Sequence, residues 1–324
     1  MPTLLTAAEE FLPQSTALET RLMKIIPLER QDFLYAKQWI IPYEATAVQL
    51  SAFLRRNSEK LYAIIQDGKL HISTKDDILA LIYIDKTILH CIPHPEKLDK
   101  NALYEDFKII TKEVSIKCIS GEQNGTDFLI SLINQISKTN KSDPESAVSE
   151  NNNLLEEHLP AQSNYYKLMS TEEPVNPPEE LCNGDEIRHC TENDMEDLFS
   201  LQNKYMQEEV VPKDRKVSVA EVSIALRNIL KNQLCVAVFS DGEPVAKANT
   251  NAIGINWIQL GGVYTHPLFR RNHYAWFLIS ALCRKASRSG KKISLFVKEK
   301  NIAAINLYKK IGFKEFGIYE IAYY

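Results

Sequence analysis

The sequence predicts a mixed α/β protein in two parts. Strand-like runs of β-branched and aromatic residues alternate with segments of helical periodicity along the whole chain. A length of 324 residues suggests about two domains. A polar stretch near the middle separates an acidic half from a basic one: residues 1–180 carry 18 Lys/Arg against 27 Asp/Glu, and residues 181–324 carry 20 against 15.

In the first part, apolar spacing predicts helices within Ala17–Ile25, Phe33–Ile40 and Ala47–Leu54, with Pro27 and Pro42 breaking the pattern. Leu61–Gln66, Asp67-Gly68 and Leu70–Ser73 read as a hairpin, because Asp-Gly is a strong short-loop signal. Ile78–Ile84 and Thr87–Ile92 make a second hairpin-like pair around Asp85-Lys86. Val114–Ser120 is a strand; Gly121 and Gly125 make the turn that leads into a helix over Thr126–Ile136, and Tyr165–Met169 supplies a last strand. Residues 1–175 are thus expected to form an accessory α/β domain. Within it, the segment 138–162, rich in Ser, Asn, Glu and Lys, is expected to be flexible. Pro174, Pro177 and Pro178 set the domain boundary near 175–183.

The second part, 183–324, opens with a strand (Glu186–Cys190) and an Asn193-capped helix to about Gln207. The run Glu208-Glu209-Val210-Val211-Pro212 breaks that helix, and Ser218–Asn232 forms the next. Leu234–Ser240 and Pro244–Ala252 are strands joined at Asp241-Gly242. Residues 257–265 form a long strand stopped by His266-Pro267. From Asn272 to Ser289 the residues Ala275, Ile279, Leu282, Cys283 and Ala286 recur at helical spacing, with Gly290 following. Ile293–Val297 is a short strand, and Asn301–Ile311 a helix capped by its Asn and closed by Gly312. The order is β-α-α-β-β-β-α-β-α-β.

With 44% hydrophobic and 25% charged residues the composition is that of an ordinary globular protein. No run approaches the roughly 18–20 apolar residues of a membrane span. Glu9 and Glu10 leave no basic-then-apolar leader, so no secretory signal is expected. The six cysteines form no C-x-x-C pair and read as reduced, packed thiols. The expectation is a cytoplasmic protein with no metal, membrane or nucleic-acid partner; a homodimer is compatible with the sequence.

The strand over 257–265, the basic turn Arg270-Arg271-Asn272-His273-Tyr274-Ala275 and the helix start after it would aim backbone N–H groups at an anion. From Arg270 to the C-terminus there are twelve Lys/Arg and three Asp/Glu, a field suited to a multiply phosphorylated ligand.

Here the residues resemble a known family. Val263-Tyr264-Thr265-x-Pro267-x-x-Arg270-x-x-His273-Tyr274-Ala275, followed by Asn301-x-x-Ala304-x-x-Leu307-Tyr308-x-Lys310-x-Gly312-Phe313, is similar to the acetyl-CoA-binding core of the GNAT N-acetyltransferases. The resemblance covers roughly the last 140 residues as a fold and is sharp over about 57 of them. It implies a GNAT-like acyl-CoA fold with a mixed α+β sheet, acetyl-CoA as co-substrate and an amine acceptor. The first part loosely resembles a degenerate copy. The sequence departs from the family at Arg271 and His273, where two glycines are expected and where side chains crowd the backbone.

The resemblance also implies roles. Tyr308, two helical turns after Asn301 and on the same face, would protonate the coenzyme A thiolate. Asn301 would cap its helix and hydrogen-bond the pantetheine arm or the neighbourhood of Tyr308, with Ala304 of the same motif also at the cofactor. Val263, Tyr264 and Thr265 would offer main-chain groups to it, and Arg270, Arg271, Asn272, His273, Tyr274 and Ala275 would bind the phosphates. Many relatives carry a glutamate on the central strand, where this chain has Gly261-Gly262, a pair that would leave room for a bulky acceptor. Glu208 and Glu209 are then the candidate bases. The leading reading is an acetyl-CoA-dependent N-acetyltransferase acting on a small-molecule or peptide amine. The alternative is a catalytically silent acyl-CoA-binding regulatory protein. A nucleic-acid binder is disfavoured, since no aromatic platforms are spaced for base stacking.

Overall fold

The computed structural model describes residues 23–66, 71–141 (backbone only at 137–141), 159–177, 180–181, 184–211 and 215–324. The first half contains β1 (Lys24–Pro27), α1 (Phe33–Ile40), α2 (Val48–Arg55), β2 (Leu61–Ile65), β3 (Ile78–Ile84), β4 (Thr87–Cys91), α3 (Lys100–Thr111), β5 (Cys118–Glu122), α4 (Gln123–Lys141) and β6 (Gln162–Thr171). The second contains β7 (Asp185–Cys190), α5 (Met195–Tyr205), α6 (Val219–Asn232), β8 (Cys235–Ser240), β9 (Glu243–Ile253), β10 (Trp257–Thr265), α7 (Tyr274–Arg288), β11 (Lys292–Lys298), α8 (Ile302–Ile311) and β12 (Lys314–Tyr323). Both halves run β-α-α-β-β-β-α-β-α-β. The repeat is closer than the sequence suggests.

Local chemistry sets the element ends. Ser218 and Glu221 form a reciprocal capping box on α6, and the Asn301 side chain accepts from the Ala304 N–H to cap α8. Gly312 closes α8 at φ +103°, a left-handed conformation that favours glycine. Asp241 and Gly242, both at positive φ, turn β8 into β9.

Four expectations for the first half need correction. The predicted helix over Ala17–Ile25 lies mostly outside the described residues, and its end, from Lys24, belongs to strand β1. Asp67, Gly68 and Leu70 also lie outside them, while His71–Ser73 is not a strand; β2 pairs instead with β1 and β3. The strand expected over Val114–Ser120 occupies Cys118–Glu122. Gly121 and Gly125 make no turn: the first lies in β5, the second in α4, and a Cβ on either would meet the His90 ring at 2.2 and 2.7 Å.

Among the described residues the twelve strands form one sheet in the order β1-β2-β3-β4-β5-β12-β6-β11-β10-β9-β8-β7. The last strand of each half is exchanged. β12 pairs antiparallel with β5, β6 pairs antiparallel with β11, and β6 and β12 pair with each other. The inter-domain linker therefore joins halves whose sheets interleave. Tyr166 and Tyr319 face each other at this seam, and Phe296 stacks on Tyr319 at 5.0 Å.

The sheet is covered on both faces. In the second half, α7 and α8 enclose Leu260, Leu278, Ile279 and Leu295, while Leu198, Leu201, Leu226 and Phe239 pack under α5 and α6. The halves are also fastened through Glu44, which follows α1 and is fully buried. Its carboxylate accepts from Ser51 Oγ (2.7 Å) and from the backbone N–H groups of Ile255 (2.6 Å), Asn256 (3.0 Å) and Trp257 (3.3 Å) in the turn before β10. A charged acceptor shared by several amides is a strong tie.

Candidate active site

β10 and β11 run parallel from Trp257↔Lys292 to Leu260↔Leu295 and then part. Beyond that point β11 continues against β6, with Phe296 opposite Leu168 and Lys298 opposite Tyr166. β10 meanwhile bulges away. Gly261 pairs with Asn249 and Tyr264 with Lys247, so Gly262 and Val263 together oppose Ala248. Residues 261–265 and 296–298 are therefore not paired with each other.

Gly261 and Gly262 serve this bulge, and the expected room for a bulky acceptor is not there. A Cβ on Gly262, which sits at φ +57°, would lie 1.9 Å from Asn249 Oδ1; one on Gly261 would lie 2.1 Å from Asn251 Nδ2. Those two asparagine side chains fill the space.

The turn after β10 keeps a glycine-like path without glycines. Arg271 adopts φ +77° and His273 φ +58°, the two positions where the family has glycine. Arg271 and Asn272 are exposed. His273 is the N-cap of α7 and its side chain makes no cap bond to the positive end of that helix dipole. Tyr274 is a core residue whose hydroxyl donates to Asp185 Oδ2 at 2.5 Å, and Ala275 follows in the first turn.

Arg270 does not point freely at this turn. Its Nη2 donates to Glu208 Oε2 at 3.0 Å and its Nε to the Thr265 carbonyl at 3.2 Å. Glu208 Oε1 accepts from the Tyr264 hydroxyl at 2.6 Å. Burial, then this carboxylate, push the Tyr264 phenol up to about 12. Glu208, Tyr264, Thr265 and Arg270 are thereby brought together as a tie at the end of β10.

Glu208 and Glu209 sit on a π-helical turn, Met206–Val210, at the end of α5. Such wide turns are frequent at functional sites. Lys298 donates to the Glu209 carbonyl oxygen, and its Nζ stands 3.7 Å from the carboxylate. Tyr308 is buried on α8, with its ring 5.8 Å from Phe313. Burial pushes its phenol up, and the charges of Tyr205 and Glu209 push the same way. Val263 and Ala304 pack against the core that contains Tyr308, and Asn301 holds the head of its helix.

Four residues escaped sequence reasoning: Tyr166, Tyr205, Lys247 and Asn249. Tyr166 comes from β6 and meets the Phe296 ring edge-on at 5.1 Å, so the first half lends a side chain to this end of β11. Burial pushes the Tyr205 phenol up to about 12, with Glu209 adding to it. Lys247 and Asn249 lie two apart on β9, hence on one face; polar residues at that spacing in an apolar strand were the available signal.

The first half holds the corresponding split in altered form. β4 and β5 are parallel over Thr87–Leu89 and Cys118–Ser120 and then part. There the His90 ring packs on Gly121 and Gly125. Thr126 donates to the Glu122 carbonyl (3.1 Å), so His90 Nε2 is the donor in its 2.8 Å bond to Thr126 Oγ1. The helix that corresponds to α7 is α3, whose N-terminus is occupied by the Asp99 carboxylate, accepting from Asn101 and Ala102.

Comparison with known proteins places the second half. Residues 195–313 match the profile of the acetyltransferase (GNAT) family. The C-terminal half carries a GNAT domain. A Drosophila protein of known structure matches at TM-score 0.60 and 12% identity, covering 94% of this chain and 99% of its own, which extends the fold likeness over both halves. A GNAT-family structure from Novosphingobium aromaticivorans matches at TM-score 0.40 and 20% identity, covering 51% of this chain and 65% of its own. A predicted acetyltransferase from Clostridium acetobutylicum, solved with acetyl-CoA, matches at 0.35 and 20%, covering 41% and 91%. No curated protein matches the sequence.

Among the described residues no helix is long and apolar enough to cross a membrane, and no three His, Cys, Asp or Glu side chains converge as metal ligands. A groove of about 700 Å³ between the linker and the C-terminal end of α7, lined by Glu172, Arg284, Arg288 and Lys291, lies at the opposite end of β11 from the point where β10 parts from it.

Proposed function

We propose that this protein is an acetyl-CoA-dependent N-acetyltransferase acting on a primary amine of a small molecule or peptide. One observation carries the reading: β10 bulges and parts from β11 directly before a basic helix N-terminus whose N-cap side chain, His273, makes no cap bond and whose backbone keeps positive φ at Arg271 and His273. The amide nest and Arg271 suit the diphosphate. Val263 offers main-chain groups to the pantetheine arm as an added strand would, with Asn301 and Ala304 beside it.

The amine nitrogen forms a bond to the thioester carbonyl carbon, the carbon–sulfur bond breaks, and a proton passes from nitrogen to sulfur overall. Tyr308 is the acid for the thiolate; burial keeps its phenol in the protonated form that a donor needs. Glu209 is the better base of the pair, because Glu208 is engaged by Tyr264 and Arg270. The acceptor enters beside the π-helical turn that carries Glu209, towards Tyr308. One acetyl-CoA binds per chain, since His90 and Asp99 fill the corresponding features of the first half.

Calorimetric titration with coenzyme A, followed by thiol release with acetyl-CoA and an amine panel, tests this. Binding with turnover supports it. Binding without thiol release on any amine leaves the silent acyl-CoA-binding protein, which the side chains at 271 and 273 favour. No measurable binding overturns both.

A further inference from the structure

Lys247 on β9 is fully buried, although an enclosed ammonium is costly unless something requires it. Its Nζ donates to the Gly262 carbonyl oxygen and to Asn249 Oδ1, both at 3.1 Å, and lies 4.9 Å from the centre of the Tyr205 ring. Among the described residues no carboxylate pairs with it. A residue serving packing alone would be apolar here.

Its place suggests the requirement. The Gly262 carbonyl belongs to the peptide that joins Gly262 to Val263, at the apex of the bulge. The peptides are trans, so the Val263 N–H points away from the ammonium. A cation on the oxygen of a peptide also strengthens its N–H as a donor. Asn249 completes the arrangement: its Oδ1 takes the lysine, its Nδ2 donates to the Thr250 carbonyl at 3.0 Å, and its side chain fills the volume that glycine leaves at 262.

We propose that Lys247 is a positioning residue for acyl transfer, its ammonium fixing and polarising the Gly262–Val263 peptide so that the Val263 N–H receives the negative charge developing on the thioester oxygen. The proposal rests on the acyltransferase reading. Lys247 neither gains nor loses a proton in the step, and it touches no substrate. The groups facing it are Tyr205 from α5, Asn249 from its own strand, Gly262 from β10, and the thiols of Cys235 (β8) and Cys190 (β7). Burial lowers the Lys247 pKa to about 8, against a raising influence from the two thiols. The cation, and its help to catalysis, are therefore lost as pH rises through about 8.

The test is Lys247→Met in the full-length protein, with coenzyme A affinity, kcat, KM for acetyl-CoA and a melting curve measured together. A fall in kcat of about 10- to 100-fold is expected, below or at the lower end of what loss of a direct oxyanion donor costs. KM should stay within about threefold. The wild-type to variant ratio of kcat, in which the acceptor's own ionisation cancels, should shrink as pH rises through about 8. An unchanged kcat, or a ratio flat with pH, would overturn the role of Lys247 while leaving the acyltransferase reading intact. If wild-type protein fails to bind coenzyme A, both fall. Should Lys247→Met not fold, the carbonyl stretch of [1-¹³C]acetyl-CoA on wild-type protein decides. A red shift that relaxes with a midpoint near pH 8 supports the proposal, and a stretch invariant from pH 7 to 9.5 refutes it.

Discussion

His273→Gly isolates the question of whether the turn before α7 works through its backbone. His273 sits at φ +58°, where an L-residue pays about 1–2 kcal/mol relative to its right-handed conformation. Glycine removes that strain but adds about 0.5–1 kcal/mol of unfolded-chain entropy. The net expectation is a gain of about 0.5–1 kcal/mol, or roughly 1–4 °C in Tm for a protein of this size. The loose ring contact with Trp276, at 6.3 Å between centroids, subtracts little. Urea unfolding and calorimetric titration with coenzyme A measure both sides. Stability should rise slightly, and affinity should hold or improve because the amides stay while a Cβ is removed. A loss of affinity beyond about tenfold, roughly 1.4 kcal/mol, would show the imidazole itself to be a ligand and refute the backbone argument.

Further tests are independent of that turn. Tyr308→Phe should lower turnover at least about tenfold with an unchanged melting curve; full turnover would remove Tyr308 from the chemistry. Glu209→Gln should shift the acidic limb of the rate profile and Glu208→Gln should not; the reverse result would exchange their roles. Glu44→Ala leaves the Ile255, Asn256 and Trp257 amides without their acceptor and should cost about 3 kcal/mol in urea unfolding; a cost under 1 kcal/mol would mean the turn re-pairs elsewhere. Titration should give one coenzyme A per chain, and two would refute the filling of the first half by His90 and Asp99. Burying the Lys247 ammonium costs stability fully below pH 8, and that cost is lost as pH rises towards 10.5. The stability of wild type relative to Lys247→Met should therefore increase across that window, as pH-dependent melting would show.

Much of the second half was legible because its signals are local. Asn301 and Gly312 bracket α8, Asp241-Gly242 turns a hairpin, and the basic turn after β10 announces itself in charge. What failed depended on partners distant in sequence. Nothing in Gln162–Thr171 says that it pairs with β11 and β12, because period-2 patterning shows which side of a strand is buried but not its neighbour. The roles of the four glycines at 121, 125, 261 and 262 lay in the side chains opposite them: His90, Asn249 and Asn251. α3 went unread as well, although Asp99 caps it and Leu103 and Phe107 recur at helical spacing.

The exchanged strands bear on how the chain must be made. β12 occupies residues 314–323 and is the last strand in chain order, yet it lies at the middle of the sheet, between β5 and β6. Until those residues leave the ribosome, β5 exposes an unsatisfied edge, a template for mispairing with any other extended chain. A nascent protein of this topology stays vulnerable until β12 is in place, and losing that strand would split the molecule down its centre rather than trim its rim.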